Sequence, residues 1–73
     1  MTQELTKREK QILRLIAEGL SNKDISRALL IAESTVENHI HKIYEKLKIS
    51  NRSQATAYAF QNGMILSTNK NEK

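Results

Sequence analysis

The sequence predicts an all-α fold: a compact four-helix domain containing a helix-turn-helix. Three observations lead there. Apolar residues recur at three- and four-residue steps in successive segments, the period of a helix with one buried face, and no segment shows the alternation of a strand. Ser, Thr or Asn stands ahead of several of these segments, where its side-chain oxygen can accept from an orphan backbone amide. There is no proline, and the two glycines, Gly19 and Gly63, each follow a helical pattern, where a left-handed C-terminal cap is expected.

Helix 1 is predicted from Lys7 to about Glu18. Thr6 and Glu9 have the spacing of a capping box, in which hydroxyl and carboxylate each cover one amide. Ile12, Leu13, Ile16 and Leu20 share its inward stripe, and Leu5 stands ready to pack near the start. Helix 2 is predicted from Asn22 to about Leu30, with Ser21 and Asp24 repeating the cap logic and Ile25, Ala28 and Leu29 as its inner face. It is too short to persist alone and must be held by its neighbours.

Helix 3 is predicted from Glu33 to Leu47. Val36, Ile40, Ile43 and Leu47 form the cleanest apolar stripe in the chain, opposed by Glu37, Asn38, His41, Lys42, Glu45 and Lys46. Ile49 is expected to tuck under its end. Helix 4 is predicted to begin after Ser50 or Asn51 and to end near Asn62, capped by Asn51 with Gln54 or by Ser50 alone. Ala55 and Ala59 give it a ridge that permits close packing, and Met64 and Ile65 return apolar side chains to the body. Residues 1–4 then form an N-terminal segment, 5–66 the domain, and 67–73 a polar tail, expected to be disordered because it holds no apolar residue.

Composition narrows the function. Seventy-three residues allow one small domain, and without cysteine neither a disulfide nor a thiolate metal site can supplement its core. With one Phe, two Tyr and no Trp, the interior falls to Leu, Ile and Ala. Twelve Lys and Arg against eight Asp and Glu leave a net charge of +4, which suits a polyanionic partner but is also ordinary for a soluble domain. No apolar run approaches the roughly 20 residues of a membrane span, and the polar start is not a signal peptide, so a cytoplasmic location and no membrane partner are expected. There is no glycine-rich phosphate loop, no nucleophile with a matched base and no carboxylate pair over a pocket, so no enzyme and no cofactor are expected.

The segment from Ser21 to Leu47 therefore carries the function. A short helix, a tight turn and a longer amphipathic helix are the layout in which the second helix enters the major groove of double-stranded DNA. Thr35, Glu37, Asn38 and His41, near the start of helix 3, are the candidates to reach base edges. Asn38 can pair with adenine, Glu37 can accept from the cytosine amino group or simply be solvated, and His41 can donate to phosphate or guanine. Thr35 either meets a base or holds the turn. His39, at the edge of the apolar stripe, reads as a packed, hydrogen-bonded structural residue, and two histidines two apart on a helix do not suit a metal site. Lys23, Lys42 and Lys46 are candidate phosphate contacts, each with a plain surface charge as its alternative.

Helix 3 is electrically balanced, with Glu33, Glu37 and Glu45 offsetting Lys42, Lys46 and Lys48. One copy is thus expected to bind weakly, and useful affinity to need two recognition helices about 34 Å apart on paired half-sites. The same neutrality supports an alternative: a helical protein-interaction module that regulates transcription without direct base readout.

The pieces LTKREKQIL, IAEGLSNKDIS, STVENHIHKIYEKLKI and NRSQATAYAFQNGMI, in that order, resemble the DNA-binding domain of LuxR-type transcriptional regulators, also found in NarL/FixJ-type response regulators of bacteria. The resemblance covers roughly residues 5 to 65. It implies a transcriptional regulator or its output domain, with helices 2 and 3 as the helix-turn-helix, helix 4 as a dimer contact and inverted-repeat DNA sites. RNA polymerase is a candidate further partner. Arg8 and Arg52 match basic positions of the family, as phosphate contacts or as braces of helix 3. On helix 4, Ala57, Phe60 and Gln61 lie partly opposite the alanine ridge and are the expected homodimer contact. Three residues depart from the family pattern. Ala32 stands where Ser or Thr often caps the recognition helix, Ser26 replaces a small Ala, and Glu37 stands where Lys or Arg is common.

Overall fold

Side-chain caps start three of the helices, as the spacing predicts. In the computed structural model, which describes residues 4–64, the elements are α1 (Lys7–Ala17), α2 (Asn22–Leu29), α3 (Glu33–Leu47) and α4 (Arg52–Gln61). The Thr6 hydroxyl accepts from the Glu9 amide at 3.1 Å while the Glu9 carboxylate accepts from the Thr6 amide at 2.9 Å, completing the capping box. Ser21 Oγ accepts from the Asp24 amide at 3.1 Å. Asn51 Oδ1 accepts from the Gln54 amide at 2.9 Å, and Gln54 Oε1 returns the favour to the Ser50 amide at 2.6 Å. Only α3 starts without a side-chain cap, because its N-cap is Ala32. The expected polar tail at 67–73, with Ile65, lies outside the described residues.

All four helices end in one way. A left-handed residue stands one position past the end of α2 and α3 (Leu30, Lys48) and two past the end of α1 and α4 (Gly19, Gly63), and the amide after it reaches back to the carbonyl five residues earlier: Leu20 to Leu15, Ile31 to Ser26, Ile49 to Tyr44 and Met64 to Ala59. These are Schellman closures, which satisfy carbonyls that the helix leaves open. Gly19 (φ +97°) and Gly63 (φ +67°) adopt this conformation freely, as the sequence predicts. Leu30 (φ +59°) and Lys48 (φ +58°) adopt it against their Cβ atoms, which costs on the order of 1–2 kcal/mol each. Leu30 is therefore the turn of the helix-turn-helix rather than the last residue of α2, and its side chain is 90 % exposed.

The core is aliphatic throughout. Ile12, Leu13 and Ile16 of α1, Ile25 of α2, Val36, Ile40 and Ile43 of α3, and Ala55 and Ala59 of α4 are buried together. Helix α1 is the hub: it packs on all three others, most extensively on α4, while α2 rests mainly on α3. The alanine ridge explains the close α1–α4 contact, since only small side chains let two helices approach this way. Leu5, Leu20, Leu29, Leu47, Ile49, Tyr44, Tyr58 and Met64 close the margins.

One inner-face assignment changes. Ala28 is exposed, and Asn22 and Ser26, both half-buried, flank Ile25 and Leu29 instead. On an eight-residue helix the apolar residues fix the inner direction only loosely. Here α2 is rolled toward its small and polar flank, where Asn22 gains a hydrogen bond to α4.

Candidate nucleic-acid interface

The recognition geometry follows from how α3 is anchored. Val36, Ile40 and Ile43 lock one side of the helix into the core, so the opposite side must face outward. Glu37, Asn38, His41, Lys42 and Glu45 are exposed there. Helical spacing brings Glu37, Asn38 and His41 onto one face in the first half of the helix. His41 Nε2 lies 3.8 Å from Glu45 Oε2, an exposed pair one turn apart that leaves the imidazole free to exchange partners. Thr35 is half-buried on the shoulder of this face, and its amide reaches Ala32 O at 3.0 Å within the first turn. Ser34, exposed and one turn before Asn38, belongs to the same surface. Counting four residues back from Asn38 would have found it.

His39 is half-buried beside the apolar stripe, as its position suggests. The hydrogen bond expected of it is not formed among the described residues, where its ring makes no polar contact. Its charge does reach Glu9, contributing to the lowering of that carboxyl.

The cations divide into free and tethered groups. Lys23 and Lys42 are exposed, and Arg8 is half-buried. Lys46, placed with the phosphate contacts by its spacing from Lys42, instead turns toward α1. Its Nζ lies 2.7 Å from Glu9 Oε1 and 3.3 Å from the Glu4 carbonyl. Glu9 is only 3 % exposed. Burial works to raise its pKa, but the hydrogen bond from Lys46, the Thr6 amide and the charges of Lys46 and His39 outweigh it and hold the carboxyl below its ordinary value. The pair ties the end of α3 to the start of α1. Arg52 is tethered too: it donates to Asn22 Oδ1 at 3.0 Å and to the Leu20 carbonyl, joining the start of α4 to the start of α2. Of its two expected roles, the bracing one is the contact formed, although the brace reaches α2 rather than α3.

On α4, Ala57, Phe60 and Gln61 lie exposed on the side away from Ala55 and Ala59, with Phe60 44 % exposed. Among the described residues no group of His, Asp or Glu is arranged to hold a metal ion, and no helix is long and apolar enough to cross a membrane.

Comparison with known proteins agrees with this arrangement. LiaR of Bacillus subtilis, a transcriptional regulatory protein, is 51 % identical over 61 residues, covering 84 % of this chain and 29 % of LiaR. The chain thus spans about three-tenths of the length of the curated relatives it matches. Among solved structures, the transcription factor GerE superposes with a TM-score of 0.75 at 42 % identity, covering 88 % of this chain and 97 % of GerE. VqmA of Vibrio cholera, solved with ligand and DNA, superposes with a TM-score of 0.76 at 30 % identity, covering 88 % of this chain and 28 % of VqmA. The family model for bacterial regulatory proteins of the luxR family matches residues 3–59, and the chain belongs to that family.

Proposed function

We propose that this domain is a sequence-specific reader of double-stranded DNA, the output unit of a bacterial transcriptional regulator acting in the cytoplasm. The observation that carries the reading is the division of α3 into a locked apolar side and an outward face of Glu37, Asn38 and His41. In the major groove, Asn38 donates to and accepts from an adenine edge, Glu37 accepts from a cytosine amino group, and His41 donates to guanine or phosphate. Thr35 sets the first turn and meets the base nearest to it. Lys23, Lys42 and Arg8 approach the phosphates. Lys46 and Arg52 act one step back, holding α3 and α2 where they can enter and flank the groove. GerE and LiaR, both named as transcription regulators, and VqmA, solved with DNA, support the reading.

Two copies pair through Ala57, Phe60 and Gln61 of α4 and place their recognition helices on successive major-groove faces. Burial of Phe60 drives a weak contact that DNA reinforces. RNA polymerase is the candidate partner once the regulator is on its site.

One observation favours the protein-interaction reading: with Lys46 turned inward, the outward face of α3 carries more acid than base. Selection of duplexes from a random pool separates the two. Enrichment of an inverted repeat, with affinity falling steeply as salt rises, is the expected result. No enrichment and no duplex binding at low salt would leave the protein-interaction reading in its place.

A further inference from the structure

His41 stands between two carboxylates on the outward face of α3. Glu37 lies one turn before it and Glu45 one turn after, and all three side chains are exposed. Its Nε2 is 3.8 Å from Glu45 Oε2, where the two form an ion pair only if the imidazole carries its second proton. Between residues 33 and 48 the exposed cations are Lys42 and Lys48, because Lys46 is held by Glu9. Set against Glu33, Glu37 and Glu45, they leave this surface one positive charge short of neutrality, and a protonated His41 supplies it.

Charged groups on the surrounding helices leave His41 to its own two carboxylates. Among the described residues, Lys23, Asp24 and Arg27 of α2 make no ion pair with it, nor do Arg8 and Glu9 of α1. Arg52 of α4 is taken by Asn22 and the Leu20 carbonyl.

Hydrogen-bond counting then separates the two protonation states. A neutral imidazole has one N–H and one bare nitrogen. In the major groove guanine offers O6 and N7, and the backbone offers phosphate oxygens; all of these are acceptors. If the single N–H points at DNA, the bare nitrogen is left to face the Glu45 carboxylate. If it points at Glu45, the bare nitrogen faces the DNA acceptor. Only the imidazolium donates both ways.

We propose, building on the DNA-reading role given to α3 above, that Glu45 is a positioning residue: it holds one ring nitrogen of a protonated His41 while the other donates to DNA, so that binding takes up one proton. Affinity is then at its plateau where free His41 is already charged. It falls as pH rises through the histidine range, about 5 to 8, by up to about tenfold per pH unit for one proton.

The test measures affinity of the whole chain for a selected duplex and for a scrambled one, from about pH 5 to 8 at constant salt. Wild type is expected to lose affinity for the selected duplex as pH rises. A slope on the selected duplex alone identifies guanine as the acceptor, and an equal slope on both identifies phosphate. His41→Gln cannot take up the proton and should give a flat profile; His39 remains in that variant, so flatness excludes His39 as the source. Glu45→Gln should flatten the profile as well, because an amide can face either a bare or a protonated nitrogen. Both side chains are exposed, so both variants should melt like wild type, which excludes misfolding. Wild-type binding that is constant over this range, or an unchanged slope in His41→Gln, overturns the protonated contact and leaves the DNA-reading proposal standing. An unchanged slope in Glu45→Gln overturns the positioning role. Wild-type protein that binds neither duplex at low salt overturns the DNA-reading proposal with it.

Discussion

The two halves of α3 are held in opposite ways. Its second half is fixed on several sides: Ile40 and Ile43 sit in the core, Lys46 grips the buried Glu9, and the Ile49 amide closes the end on Tyr44 O at 3.0 Å. Its first half is anchored mainly by Val36. It has no side-chain cap, and its outward polar groups have few partners within the fold. The difference teaches where affinity for an external partner can come from. A side chain already satisfied inside the fold offers a ligand little, whereas Glu37 and Asn38 exchange only water when they bind.

Removing the brace of the second half should have the largest effect. Glu9→Ala deletes the partner of Lys46 and half of the α1 capping box together, and is expected to destabilise the domain by about 1.5–3 kcal/mol in chemical denaturation. The same pair sets an acid limit. The folded pKa of Glu9 lies below its unfolded value, so its contribution is complete above the ordinary glutamate range and is lost as pH falls through the folded value. Lys46→Met should flatten that part of the stability–pH profile. A variant that keeps the full acid dependence would place its source elsewhere.

Capping the first half is the converse change. Ala32→Ser supplies the missing acceptor and should stabilise the domain by about 1 kcal/mol, read as a higher denaturation midpoint. The smallest effect is expected at the far end of the helix. Lys48→Gly relieves a left-handed Cβ but adds freedom to the unfolded chain, leaving a net gain of about 0.5 kcal/mol.

Much of this was legible in the sequence. The capping box, the Val36–Ile40–Ile43 stripe and the glycine closures depend on local spacing, and the structure forms them within a residue of the predicted bounds. The roll of α2 was not legible, because Ile25 and Leu29 alone admit Ala28 or Ser26 as their neighbour and the choice is made by α3 and Arg52. Nor was the partner of Lys46. Spacing alone puts Lys46 in line with Lys42, but Glu9 lies 37 positions away and only the packing of α1 on α3 brings the two together. Leu30 and Lys48 were missed as left-handed closures because neither is a glycine.

Asn38 tests the central claim most directly. Its amide is exposed on the free half of α3, so replacing it with alanine should leave the fold intact. Equilibrium binding of Asn38→Ala to the selected duplex and to a scrambled one should show a loss of about 1–3 kcal/mol on the selected duplex only. Equal affinities for wild type and variant on both duplexes would contradict base reading by this face.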